Sequence, residues 1–138
     1  MMHRIDLSFL LLAAACLIVG VVMGIWMGIS HNFQFAPVHA HLNLLGWTSL
    51  ALFGIAYRIY PVLAQSRMAT LHFVASSVSA VAFPVGIYLS IAHQSPGLAI
   101  GASLLWLLGA ALFLANLVRA FQLMSRQVRT PAISPLAA

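Results

Sequence analysis

Residues 36–60 read APVHAHLNLLGWTSLALFGIAYRIY, and Arg58 is the only charged side chain among them. A helix needs about 20 apolar residues to cross a hydrocarbon core roughly 30 Å thick. This stretch is long enough, and it does not alternate apolar with polar residues as a barrel strand would over ~10 positions. It therefore reads as a membrane-spanning helix. The same reading applies to residues at about 8–29, 70–92 and 97–121. Four such stretches leave no room for a soluble domain in 138 residues.

Composition agrees. The chain is 63% hydrophobic and 5% charged, with a mean hydropathy of +1.05, whereas a soluble domain carries about 25% charged residues. The expected architecture is an all-α, integral membrane four-helix bundle over residues 1–125, followed by a disordered cytoplasmic tail at 126–138 that holds Pro131 and Pro135. The connections at 30–35 and 94–96 are short enough to join antiparallel neighbours. The one at 61–69 is longer. Pro37, Pro61 and Pro96 lie near helix ends, where a missing N–H costs little. Pro84 lies inside the third helix and is expected to kink it, with Ser79, Gly86 and Ser90 easing the bend.

Charge placement suggests an orientation. The net charge of +5 comes from six arginines against Asp6 alone. Arg4, Arg58, Arg67, Arg119, Arg126 and Arg129 flank the termini and the middle connection, and the other two connections carry no Arg or Lys. The positive-inside rule then puts both termini in the cytoplasm, as in a multi-pass protein of a bacterial inner membrane. Arginines distributed in this way point to lipid rather than nucleic acid as the partner. The first apolar run is longer than the 7–15 residues of a signal core and reads as the first helix. Cys16 is the only cysteine, so no internal disulfide or paired-cysteine zinc site can form, and it reads as a packing residue. Gly20, Gly24 and Gly28 form a small-residue face for close helix packing, within one protomer or between two.

The six histidines carry the chemistry, because ionisable groups within a membrane are costly and are usually functional. His3 is at the N-terminus. His31 and His93 are at outer helix ends and read as interfacial. His72 lies a few residues into the third helix, as an interfacial histidine bonded to a neighbour or as a ligand or proton carrier. His39 and His41 lie inside the second helix, about 5–8 Å into the core by helix rise. Residues two apart on a helix point about 200° apart, so this pair cannot grip one ion from one helix. Each would serve a different crevice, as axial ligands of two flat cofactors would require, and iron in heme is often held by histidine. Asn43 and Gly46 follow on the His39 side, where Gly46 would leave room for a ring, and Trp47 and Phe53 could wall it. The alternative is a pair of core histidines bonded to Asn43, Thr48 or Ser49.

The segment Pro37-Val38-His39-Ala40-His41-Leu42-Asn43-Leu44-Leu45-Gly46-Trp47 resembles a helix of the heme–copper oxidase catalytic subunit. In that family an Ala-His-Phe-His-Tyr type segment opens the tenth of twelve helices. The resemblance implies that His39 matches the ligand of a high-spin heme and His41 that of a low-spin heme. It also implies that the chain corresponds to one of three four-helix arcs. Three copies would close such a ring, so a homotrimer with hemes between protomers is expected, His39 of one protomer and His41 of the next binding each. About one non-covalent heme b per chain follows, since no Cys-x-x-Cys-His is present.

The chain departs from the family in lacking a set of copper ligands, with His72 the one candidate on the third helix, near the opposite membrane face. It also lacks the outer-side arginines that meet heme propionates, leaving His31, Asn32, Gln34 and His93. A complete oxygen reductase is therefore not expected. The leading expectation is a low-spin redox protein exchanging electrons with an unidentified donor and acceptor. The other classes are a sensor or reductase of O2 or NO, and a heme-free protein handling copper or zinc. Asn116 is expected to donate a hydrogen bond between helices.

Overall fold

A computed structural model describes residues 4–129. Four helices, each long and apolar enough to cross a membrane, make up an all-α bundle: α1 (Ile5–Ser30), α2 (Ala36–Ile59), α3 (Arg67–His93) and α4 (Gly97–Arg129). Hydrocarbon offers backbone amides no water, so a spanning chain must satisfy them internally, and the helix does this locally. The chain is thus a multi-pass membrane protein. The last helix runs to Arg129 rather than ending near residue 121, so residues 126–129 are helical rather than part of the expected disordered tail. The remainder of that tail, like His3, lies outside the described residues.

Helix ends follow local chemistry. Ser66 caps α3, its Oγ accepting from the Met68 amide at 3.0 Å. His31 and Gln94 end α1 and α3 in the left-handed region, with φ of 51° and 52°. A short 3-10 turn, Pro61–Gln65, joins α2 to α3. The middle of α2, Leu42–Ser49, is a π-helix, and there the Ser49 hydroxyl donates back five residues to the Leu44 carbonyl at 2.8 Å. Such wide turns are rare and often sit at functional sites.

Two close antiparallel pairs build the bundle. Between α1 and α2 the small residues interlock. A Cβ on Gly20 would lie 2.6 Å from Asn43 Oδ1, one on Gly24 3.0 Å from His39 Cε1, and one on Gly46 2.8 Å from Cys16 Sγ. Gly20 and Gly24 therefore serve packing within the protomer, and Cys16 is the buried packing residue its sequence context implied. Between α3 and α4, Gly86 faces the Ala99 backbone, with a built Cβ 2.6 Å from Ala99 Cα, and Gly109 faces Ser76. Ser79 donates to the Ala102 carbonyl at 2.6 Å. Gly86 and Ser79 thus hold α4 against α3, and the helical assignment of α3 runs through Pro84.

The pairs meet through α2 and α3, with α1 touching α3 more lightly and no substantial α1–α4 contact. The result is an open arc whose ends expose apolar side chains, among them Ile18, Val22 and Ile25 on α1 and Leu104, Leu107 and Leu114 on α4. Phe9, Leu50, Tyr57 and Leu63 form the core near the described chain termini.

Gly86→Ala should destabilise the bundle by about 1–3 kcal/mol, the usual cost of overpacking. Gly101→Ala, with nothing within 4 Å of its built Cβ, should be neutral or stabilising. Unfolding of the purified protein in detergent measures both.

Candidate functional site

His39 and His41 sit on the last α-helical turn before the π segment of α2. Their rings lie against different neighbours. His39 faces α1, seated over Gly24, and its Nδ1 is 3.0 Å from the Gly20 carbonyl. His41 faces α3, edge-on to Phe83 at 5.0 Å, and its Nδ1 is 2.8 Å from the Pro37 carbonyl of its own helix.

A carbonyl only accepts, so each Nδ1 carries the ring proton. The Asn43 amide nitrogen also lies 3.4 Å from His39 Nδ1, but it donates at 2.9 Å to the His39 carbonyl. The two shorter contacts agree with one tautomer, and the longer one would set two donors against each other. Both rings therefore present Nε2 as a lone pair, and neither Nε2 has a protein partner or is enclosed among the described residues. A nitrogen in this state is available to a metal, and the opposite nitrogen bonded to a carbonyl is the usual way such a ligand is oriented.

The neighbouring residues sort differently from their sequence expectation. Asn43 packs on Gly20 and tethers the His39 backbone. Gly46 leaves no room for a flat ring, because Cys16 fills the space a Cβ would take. Trp47 and Phe53 pack against the apolar core. Thr48 and Ser49 bond to neither histidine, and the ring partners are main-chain carbonyls instead. Gly20 and Gly24 support the His39 ring, a role that the histidine spacing alone does not reveal. Their spacing was visible in the α1 small-residue face, but a packing stripe does not announce which side chain will rest on it.

Between α1, α2 and α3 runs an apolar groove of about 440 Å³, with Val19, Met23, Val38, Leu42, Pro84 and Tyr88 in its walls. Val38 and Leu42 lie on the α2 face between those of His39 and His41, so the two histidines flank the groove without lining it.

His72 belongs to a separate site. It is fully buried rather than interfacial, ringed by Phe9, Phe53, Tyr57 and Phe113 with centroids 4.5–5.8 Å away. Its Nδ1 bonds to the Tyr57 hydroxyl at 3.1 Å. Asn116 donates to the Leu63 carbonyl at 2.9 Å and to the Tyr57 oxygen at 3.4 Å, the interhelical role expected of it. Phe53 touches His72 and lies about 18 Å along α2 from His41 by helix rise. Among the described residues no three His, Cys, Asp or Glu side chains converge on one point. No family model, curated protein or solved structure matches the chain.

Asn116→Leu removes the donor that ties α4 to the 3-10 turn and leaves the Leu63 carbonyl unpaired. A loss of about 1–2 kcal/mol is expected, the range for interhelical hydrogen bonds in model membrane peptides, and chemical unfolding in detergent checks it.

Proposed function

We propose that this protein binds heme through His39 and His41 and carries electrons within a bacterial inner membrane. The observation that supports the reading is the state of the two imidazoles. Each is pinned by an Nδ1–H bond to a main-chain carbonyl, at 3.0 and 2.8 Å, leaving Nε2 as a lone pair. This donor set fits a heme iron, which accepts neutral imidazole. The two histidines face away from each other across α2, so each supplies one ligand to a different heme.

A bound heme would supply a one-electron couple near the membrane surface. The residues orient its ligands. Gly20 and Gly24 set the His39 ring against α1, and Phe83 sets the His41 ring against α3. Two half-sites per chain call for a second protomer. The open arc, with unpartnered apolar faces on α1 and α4, supports closure by like copies, and closed cyclic symmetry is common in homo-oligomers. The reading is a homotrimer with one heme b at each junction, held by His39 of one protomer and His41 of the next. The likeness of the His39–His41 segment to the heme–copper oxidase helix supports the same ligand roles. Both termini then face the cytoplasm, by the arginine placement.

The purified protein should show a six-coordinate low-spin b-type spectrum with about one heme per chain, unchanged by carbon monoxide after reduction. His39→Ala and His41→Ala should each abolish that spectrum. Carbon monoxide binding to the wild type would shift the reading to a gas sensor or reductase. A heme-free protein that retains copper or zinc would replace it with metal handling.

A further inference from the structure

The His72 site stands apart from the proposed heme ligands and does not depend on them. We infer that His72 is a proton-accepting site in the membrane interior, reached from the arginine-rich end of the bundle through the Tyr57 hydroxyl. Three observations carry this.

The first is the direction of the hydrogen bonds. The Asn116 amide nitrogen can only donate, and it donates to the Tyr57 oxygen. The Tyr57 proton is then free to point at His72 Nδ1, 3.1 Å away. His72 Nδ1 is thus an acceptor and its ring proton lies on Nε2. That Nε2 is buried with no partner among the described residues, as is Ser76 Oγ one turn along α3 and Asn116 Oδ1 across on α4. Unpaired polar atoms in hydrocarbon are costly and call for water or another small polar guest.

The second is access. A pocket of about 180 Å³ opens at this end, with the charged Arg4, Asp6 and Arg58 and the phenol Tyr57 among otherwise apolar lining residues, a volume that accommodates several waters. Tyr57 therefore forms part of a wall of the pocket and also bonds to His72. Asp6, the only carboxylate in the chain, sits in that pocket 3.5 Å from Arg58. Arg58 is 70% exposed, so the pairing is loose and the carboxylate can exchange with water.

The third is the surround. All four ring centroids lie within the ~6 Å over which an aromatic ring can interact with a cation, Tyr57 and Phe113 stacked on the imidazole and Phe53 edge-on to it. No carboxylate touches it among the described residues.

Proton uptake balances simply. Tyr57 gives its hydroxyl proton to His72 Nδ1 and takes one that pocket water relays from bulk, so water is unchanged and His72 gains one positive charge. Tyr57 is the only titratable group in contact. Farther off stand Arg4 just before α1, Asp6 on α1, Arg58 on α2, Arg67 on α3 and Arg119 on α4, while the 3-10 turn contributes uncharged Leu63. Asp6 favours the charged form and the arginines oppose it.

The test is nitrogen NMR of histidine-labelled protein in lipid nanodiscs, with His72 assigned by loss of its signals in His72→Gln. The expected result is an Nε2–H neutral ring at alkaline pH that becomes doubly protonated on acidification. Proton exchange at His72 should slow by about a hundredfold in Tyr57→Phe, the lower end of what a positioned proton carrier contributes, and should slow in Asp6→Asn. A His72 ring that stays neutral throughout acidification down to the pH at which the bundle unfolds overturns the inference. So does exchange that is unchanged in both variants.

Discussion

Water is missing from most of this molecule's surroundings, and that absence decides where its few polar atoms go. A polar group in hydrocarbon has no solvent to fall back on. The intramembrane side chains therefore turn to main-chain carbonyls. His39 bonds to Gly20, His41 to Pro37, Ser79 to Ala102 and Asn116 to Leu63. Three of those four bonds join different segments of the chain. Each fixes a distance and an orientation, so the polar residues organise the bundle while the apolar ones fill it. The same rule sets the tautomer of His39 and His41, because a carbonyl partner forces the proton onto Nδ1. The bond that makes these histidines good neighbours for the backbone also leaves their other nitrogen without a protein partner.

Much of this was legible in the amino-acid sequence because it depends on solvent and on period. Apolar length implies four helices, and the spacing of His39 and His41 implies two different neighbours, as their contacts with α1 and α3 bear out. The role of Asn116 was legible too, since an amide inside such a helix must find a partner. The rest turned on packing, which period does not encode. Gly46 looked like an empty place for a ring, but an antiparallel α1 brings Cys16 into it. Ser79 and Gly86 read only as neighbours of Pro84, and what period did not show is that they also serve the approach of α4. His72 looked interfacial because it is near a helix end. Its burial comes from Phe9 and Phe113, on helices far away in sequence. The π segment of α2 leaves no mark in composition that separates it from an α-helix.

The two histidine sites illustrate opposite solutions to one problem. At His39 and His41 the neutral ring is satisfied on one side and open on the other, and the bundle leaves that side without a protein partner. At His72 the ring is enclosed, and the unpaired atoms face inward with those of Ser76 and Asn116. An open lone pair suits a metal brought from outside. An enclosed, hydrogen-bonded imidazole suits a proton.

Their separation along the membrane normal gives the molecule a polarity of its own. Two charges about 18 Å apart interact by roughly 1 kcal/mol at an effective dielectric constant near 20. A charge gained at one site would thus perturb the other by less than one pKa unit, since a unit is about 1.4 kcal/mol. The two sites are therefore near-independent electrostatically, and strong coupling between them would need movement of the helices they share. Three helices touch both: α1 through Gly20 and Phe9, α2 through the histidine pair and Phe53, and α3 through Phe83 and His72 itself. Because the same three helices are packed on one another at both depths, neither site can shift without working against the packing of the other.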